Sequence, residues 1–229
     1  MISYNLADLI IISNNYEKKF INKIFRINQK KIRVIPNYID INRFKPISVE
    51  KKEKSILFIG RLNEFKNLDN LIESFIYLDD FSLDIIGNGE LKSSLINKVE
   101  KLKLQSKIKF LGTIPNSKLP EIINQYSIFI LPSNMEGNPK TLLEAMSCGI
   151  ACIGTNNPGI NQIITHRKNG YLCNFDSKSI ANAIKIVNNN IDLKDFIGKN
   201  ARQYIIENHS IDRIFKKEMR IYLSLAELN

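Results

Sequence analysis

Short apolar segments alternate along the chain with longer segments in which apolar residues recur every three or four positions. The short segments predict buried strands, and the longer ones predict amphipathic helices. The predicted strands are Asp8–Ile12, Ile32–Ile35, Ser55–Ile59, Ser82–Ile86, Ile108–Phe110, Ile128–Leu131 and Ala151–Gly154. The predicted helices are Tyr16–Phe25, Leu68–Leu78, Glu90–Leu102, Lys118–Gln125, Lys140–Cys148, Asn161–Ile164, Lys178–Asn188, Leu193–Asn208 and Asp212–Leu228. This alternation predicts a Rossmann-like α/β domain with a parallel sheet, which binds ligands at the carboxyl ends of its strands.

The composition is that of a soluble protein. The 229 residues are 44% hydrophobic and 24% charged, and no apolar run approaches the ~20 residues that a membrane-spanning helix needs. The first fifteen residues lack the basic start and cleavage site of a signal peptide, so we expect a cytoplasmic protein. Three cysteines without metal-ligand spacing predict reduced thiols that pack in the core: Cys148, Cys152 and Cys173.

The net charge of +10 favours anionic partners. The densest basic run, Lys18 to Arg33, is interleaved with Phe20, Ile21, Ile24 and Phe25 at helical spacing. That pattern permits peripheral contact with anionic lipid, for example at the inner face of the membrane. A solvated helix face over a packed one is the alternative, and we favour it. No motif of a nucleic-acid-binding fold is present, so we expect no nucleic acid partner.

Two carboxylates eight positions apart mark the segment Glu136 to Gly149. We expect a helix from Pro139 to Cys148, with Asn138 as the cap, Pro139 at the first helical position and Gly149 ending the helix in a left-handed conformation. A phosphate would then fit on the free N–H groups of the first turn, between Glu136 and Glu144. Each carboxylate could accept hydrogen bonds from a diol, one on a hexose and one on a ribose. An ordinary capped helix with solvated acids remains the alternative.

A second candidate group follows the predicted strand Ser55–Ile59. Gly60 permits close approach of a ligand to the backbone, and the cations Arg61 and Lys66 can converge on a diphosphate at the strand's carboxyl end. The alternative is a pair of surface cations. Further along, Gly87 and Gly89 predict a tight turn between a strand and a helix, but the third glycine of the dinucleotide fingerprint is absent, which argues against a nicotinamide site.

Together these segments resemble the donor-binding half of the family 4 retaining glycosyltransferases, which have the two-domain GT-B architecture. The resemblance is carried by IRVIPNYIDINRF (Ile32 to Phe44), FIGRLNEFKN, DIIGNGE, FLGTIP, LPSNMEGNPKTLLEAMSCGIACIGTNNPGINQII and NGYLCNFD. It implies that Arg61 and Lys66 hold the donor pyrophosphate, that Glu136 touches the transferred sugar and that Glu144 accepts the ribose hydroxyls. Gly112, Thr113 and Ile114 would border the nucleobase. Pro139 departs from the family pattern, because many relatives have a glycine there and proline lacks the N–H group.

The resemblance implies a set of donor-binding residues, of which Arg61, Lys66 and Glu136 would be catalytic. The donor-binding set is Gly60, Arg61, Lys66, Gly87, Ile114, Glu136, Gly137, Asn138, Lys140, Thr141, Leu142 and Glu144. The donor would be a UDP- or GDP-sugar, and a hexosyl or related group would pass to an unknown acceptor in cell-surface polysaccharide synthesis. The cations and the helix start would offset the charge of the leaving diphosphate, so no metal or other cofactor is expected. Hydrolysis by the carboxylate pair is the disfavoured alternative.

The resemblance also predicts the domain organisation. Residues 1–48 would be a remnant of the N-terminal acceptor domain with its linker, residues 49–208 the nucleotide-sugar-binding domain, and residues 209–229 a helix that crosses back to the missing domain. His166 and His209 match no catalytic position. We also expect an exposed apolar patch that the missing domain would cover, made of Ile10, Ile12, Phe20, Phe25, Ile221 and Leu225.

Three interpretations remain open. The chain is a shortened transferase, one subunit of a split transferase whose acceptor half is a separate N-terminal polypeptide, or a sugar-nucleotide-binding module without catalysis. The sequence does not separate them.

Overall fold

The computed structural model of the protein describes residues 6–226, with side chains through residue 224. The strands are β1 (Ile10–Ile12), β2 (Ile32–Val34), β3 (Ser55–Ile59), β4 (Ser82–Ile86), β5 (Ile108–Gly112), β6 (Ile128–Leu131), β7 (Ala151–Thr155) and β8 (Tyr171–Cys173). The helices are α1 (Asn15–Phe25), α2 (Leu68–Ser74), α3 (Lys92–Lys101), α4 (Leu119–Asn124), α5 (Lys140–Ser147), α6 (Ser177–Asn189), α7 (Ile191–Asn208) and α8 (Ile211–Ala226). None of the described helices is both long enough and apolar enough to cross a bilayer.

The main sheet has six parallel strands in the order β5-β4-β3-β6-β7-β8. Its central strands β3 and β6 are buried on both faces, as the near-continuous apolar runs SILFI and IFIL require. In the register, Ile56 pairs with both Leu83 and Ile128. The predicted parallel α/β sheet is therefore confirmed, and all strand carboxyl ends lie at one edge.

A second, two-stranded parallel sheet is formed by β1 and β2. Its small apolar cluster contains Ile10, Ile12, Ile27 and Ile32 and is separate from the main core. Ile39, in the segment that connects the two sheets, already packs in the main core.

All seven predicted strands form, with ends shifted by no more than two residues. Strand β8 was missed, because it has only three residues at the edge of the sheet. The predicted helix Asn161–Ile164 is only a short 3₁₀ turn, Ile160–Gln162, and the predicted helix Leu68–Leu78 ends in the 3₁₀ turn Phe75–Tyr77. The three cysteines are free and buried, as predicted for core packing.

The predicted apolar patch is partly wrong. Ile10 and Ile12 are buried in the small cluster, and Phe25 and Ile221 are half-buried, whereas Phe20 is exposed as expected. The side chain of Leu225 lies outside the described residues. The exposed apolar side chains of the protein include one stripe on α1 and one on α8: Tyr16, Phe20, Ile24, Phe215, Met219, Tyr222 and Leu223.

Candidate active site

The carboxyl ends of β3, β4 and β5 are joined through three glycines. Gly87 has φ +142, and a Cβ added there would lie 1.8 Å from the carbonyl oxygen of Gly60. The Gly87 N–H also donates to the Gly112 carbonyl at 2.8 Å. Only glycine allows this close packing, so Gly87 shapes the edge of the site through the backbone. Ile114, two residues after Gly112, is half-buried and packs against the main core.

Lys66 and Glu136 form an ion pair at this edge. The Lys66 Nζ lies 2.5 Å from the Glu136 Oε1, and the side chains are only 18% and 9% exposed. Lys66 ends the 3₁₀ turn Glu64–Lys66 that follows β3, whereas Glu136 lies in the loop after β6. Because β3 and β6 are neighbours in the sheet, their loops meet, and the Asn134 N–H donates to the Phe65 carbonyl. The two residues that the sequence placed at one site are thus in contact.

Arg61 has a different partner. Its Nε lies 3.6 Å from Glu90 Oε2, and its side chain is 73% exposed. The expected convergence of Arg61 with Lys66 is not formed in this structure. An exposed ion pair of this kind contributes little stability, so Arg61 can exchange Glu90 for another anion at small cost.

The start of α5 differs from the sequence prediction. Pro139 is the N-cap residue, with φ −70 and ψ 109, rather than the first helical residue. Asn138 does not cap the helix, because its Oδ1 accepts the Asn37 N–H at 2.9 Å and its carbonyl accepts the Asn37 side-chain amide. The expected end is confirmed, since Gly149 has φ +71.

The first turn of α5 is therefore open. The first bond of the helix runs from the Leu143 N–H to the Pro139 carbonyl, and no described residue accepts a hydrogen bond from the N–H groups of Lys140, Thr141 or Leu142. The Leu142 side chain is fully buried, so only its backbone is available at this site. Three unpaired N–H groups at the positive end of a helix favour an anion.

Glu144 lies in the second turn of α5, as expected, and is 1% exposed. One of its oxygens accepts the Asn116 Nδ2 at 3.3 Å, and the Asn116 Oδ1 accepts the Arg43 Nη2 at 2.6 Å. Burial raises the pKa of the Glu144 carboxyl, which the hydrogen bond from Asn116 and the charges of Lys140 and Arg43 oppose. The Glu144 carboxylate is thus buried, contrary to the alternative of an ordinary helix with solvated acids.

The N-terminal unit contacts the same loop. A Cβ added at Gly137 would lie 2.8 Å from Glu17 Oε1 and 3.4 Å from Ser13 Oγ. Glu17 is itself fixed at the start of α1, where its carboxylate accepts the Ser13 N–H and the Asn14 side chain accepts the Glu17 N–H. Gly137 thus lies in close contact with side chains at the start of α1.

The structure adds contact residues that sequence reasoning missed. Asn37 holds Asn138, Asn116 and Arg43 cover Glu144, and the Ser133 Oγ donates to Glu136 Oε1 at 2.7 Å. A polar residue directly after a strand and three positions before Glu136 could have identified Ser133. Asn37, Arg43 and Asn116 come close only through the tertiary fold, since the hydrogen bonds of Asn37 to Asn138 and of Arg43 to Asn116 span many residues of the chain.

Among the described residues, no group of three or more His, Cys, Asp or Glu side chains is placed to hold a metal ion.

Solved structures and curated proteins share this fold and sequence pattern. Sucrose-phosphate synthase from Thermosynechococcus elongatus superposes with a TM-score of 0.92 at 19% identity, over 99% of this chain and 60% of that one. Anabaena HepE in complex with UDP and glucose superposes with a TM-score of 0.90 at 18% identity, over 97% of this chain and 65% of that one. These likenesses show that the chain has the fold of GT-B glycosyltransferase structures.

The curated relatives include the Escherichia coli UDP-Gal:alpha-D-GlcNAc-diphosphoundecaprenol alpha-1,3-galactosyltransferase, which is 29% identical over 95% of this chain and 60% of the relative. An uncharacterised glycosyltransferase of Methanocaldococcus jannaschii is 26% identical over 99% of this chain and 62% of the relative. The chain thus spans about three fifths of the length of these relatives. The family model described as glycosyl transferases group 1 matches residues 40–204, well over half the chain, and so the chain belongs to the glycosyl transferases group 1 family.

Proposed function

We propose that this chain is the donor-binding part of a retaining glycosyltransferase that uses a UDP- or GDP-sugar in the synthesis of a cell-surface glycan. The observation that carries the proposal is the Lys66–Glu136 ion pair beside the open first turn of α5. A cation, free N–H groups and a carboxylate at one strand edge match the pyrophosphate and the sugar hydroxyls of such a donor.

Lys66, Arg61 and Glu136 are the proposed catalytic residues. As the glycosidic bond breaks, negative charge grows on the diphosphate, and the Lys66 ammonium and the N–H groups of Lys140 to Leu142 stabilise it. Arg61 leaves Glu90 to contact the same diphosphate. Glu136 orients the transferred sugar by accepting its hydroxyls. The leaving group is thus stabilised by residues of the chain without a metal ion.

Glu144 is the proposed ribose-binding residue. The buried Glu144 carboxylate accepts one hydrogen bond from Asn116, and at 3.3 Å this bond is long and easily exchanged for one from a ligand. A ribose diol offers two donors to the same carboxylate. Gly60, Gly87, Gly112 and Ile114 form the edge against which the nucleoside would lie.

An acceptor-binding domain, on the same or another polypeptide, completes the proposed enzyme. It would pack on the two-stranded sheet β1–β2 and on the exposed apolar stripes of α1 and α8. A sugar-nucleotide-binding module without catalysis is the second candidate. Peripheral contact with the inner face of a membrane through the basic residues of α1 remains compatible with either.

Calorimetric titration of the chain tests the proposal. We expect UDP or GDP to bind at least ten times more tightly than the monophosphate of the same base, because the second phosphate adds charge-assisted hydrogen bonds worth about 1.5–3 kcal/mol. Equal affinity for the diphosphate and the monophosphate would contradict the diphosphate site. Failure of the chain to bind any nucleotide would overturn the proposed function.

A further inference from the structure

The two carboxylate oxygens of Glu136 have different surroundings. Oε1 accepts hydrogen bonds from both Lys66 Nζ, at 2.5 Å, and Ser133 Oγ, at 2.7 Å. No described residue donates to Oε2, and this oxygen is accessible to solvent. Glu136 thus has one oxygen held by the protein and one that a ligand can use.

Ser133 is fixed before it contacts Glu136. It is fully buried, and its carbonyl accepts hydrogen bonds from Thr155 Oγ1 and, at 2.8 Å, from Asn157 Nδ2. The Asn157 Oδ1 in turn accepts the N–H groups of Gly159 and Ile160. Buried polar groups are costly unless they are hydrogen-bonded, and here they bond one another around the backbone of Ser133. The end of β7 therefore sets the position of the Ser133 hydroxyl.

Other buried serines are used differently. The Ser74 hydroxyl donates to the Leu71 carbonyl and the Ser147 hydroxyl donates to the Phe44 carbonyl, both at 2.6 Å. These bonds satisfy main-chain groups within the fold. The Ser133 hydroxyl donates instead to a side-chain carboxylate of the candidate site.

We propose that Ser133 is a positioning residue that holds Oε1 of Glu136 and so presents Oε2 to the sugar of the donor. This inference rests on the proposed function. When Lys66 turns to the diphosphate, Glu136 loses one of the two donors on Oε1, and the Ser133 hydroxyl is the one that remains. Ser133 therefore keeps the carboxylate oriented in the donor complex.

The test compares a nucleotide with its sugar conjugate. Ser133→Ala is titrated with UDP and UDP-glucose, and with GDP and GDP-mannose, by calorimetry, and the pair that wild type binds best is used. We expect the affinity for the free nucleotide to stay within about twofold of wild type. The affinity for the nucleotide sugar should fall roughly three- to tenfold, which corresponds to the loss of one ordinary hydrogen bond. Glu136→Gln should likewise weaken binding of the nucleotide sugar more than binding of the free nucleotide.

Two further variants separate positioning from general stability. Ser74→Ala removes a hydroxyl from an equally buried serine outside the site and should leave both affinities unchanged. Thr155→Val removes a hydrogen bond to the Ser133 carbonyl and should also weaken binding of the nucleotide sugar more than binding of the free nucleotide. This variant keeps the proposal testable if Ser133→Ala does not fold. Equal effects of Ser133→Ala on both ligands, or no effect on the nucleotide sugar, would overturn the inference while wild-type binding leaves the proposed function intact. Failure of wild type to bind any of the four ligands would instead overturn the proposed function.

Discussion

Glu144 is a buried acid whose environment opposes its ionisation. It is 1% exposed and has a single hydrogen-bond donor among the described residues, and burial raises the pKa of its carboxyl. Such a group destabilises the folded chain at neutral pH, which is typical of residues retained for binding rather than for stability. Glu136 at the same edge has two donors, so the two glutamates of one motif carry different energetic costs.

We predict that Glu144→Gln separates binding from stability. The variant should bind UDP roughly tenfold more weakly than wild type, because the ribose loses a charged acceptor, but should bind 2′-deoxy-UDP with little change. Titrations with both nucleotides measure this difference. An equal loss of affinity for UDP and 2′-deoxy-UDP would contradict the proposal that Glu144 binds the ribose.

The same variant has an expected pH dependence. Because the folded pKa of Glu144 lies above the unfolded value of 4.5, the unfolded chain releases this proton first as pH rises. As pH rises from about 4.5 to the folded pKa of Glu144, the free energy of unfolding therefore falls, and it stays lower at higher pH. Glu144→Gln should be at least as stable as wild type at pH 7, with a smaller difference at pH 4, by urea unfolding. Loss of stability at pH 7 would contradict this.

At the scale of elements, turns at the strand ends decide how the site is assembled. Three glycines have positive φ among the described residues, but their surroundings differ. A Cβ would find open space at Gly112, Pro46 Cγ at 3.3 Å at Gly149, and the Gly60 carbonyl oxygen at 1.8 Å at Gly87. Replacing one of these glycines therefore has two separate costs, one from the left-handed backbone conformation and one from the lack of space for a Cβ.

We predict a graded loss of stability on replacing each of these glycines by alanine. Gly112→Ala should cost about 1 kcal/mol, from the left-handed conformation alone. Gly149→Ala should cost somewhat more, and Gly87→Ala should cost several kcal/mol, because the backbones of two strand ends must separate. Chemical denaturation of the three variants measures the order. Equal losses would show that contact at the strand ends does not matter.

The sequence predicts elements better than contacts. The apolar runs of β3 and β6 and the helical period of α5 are local signals, and they placed Lys66 and Glu136 at the same edge. Strand β8 is too short to give a period, and its pairing with β7 is set by the tertiary fold. Asn138 shows where local prediction fails. Its capping propensity is a local property, but its side chain instead accepts a hydrogen bond from Asn37, which is distant in sequence.

At the scale of the whole molecule, α1 and α8 each carry an exposed stripe of apolar side chains. Phe20 and Phe215 are more than half exposed, and each lies in a row of apolar side chains at helical spacing. Surfaces of this kind mark interaction sites on soluble proteins. They lie on the elements that flank the main domain in sequence, where the proposed acceptor domain would pack.

We predict that the chain alone transfers no sugar. Incubated with sugar nucleotide and a crude acceptor extract, it should release no diphosphate above background, and a polypeptide carrying the N-terminal half should restore turnover. Substituting lysine for both Phe20 and Phe215 should prevent this restoration without abolishing nucleotide binding. Robust transfer by the chain alone would show that acceptor and catalytic groups lie within these residues.

The proposed function requires Lys66 to be available to a donor diphosphate. The most direct measurement is the affinity of Lys66→Ala for UDP and GDP by calorimetry, with Lys98→Ala as the matched control. Lys98 is a comparably covered lysine, paired with Asp69 and Glu73 away from the site. We expect Lys66→Ala to lose about 1.5–3 kcal/mol of binding free energy and Lys98→Ala to bind as wild type does. Equal affinity of wild type and both variants would contradict the proposed role of Lys66 in binding the diphosphate.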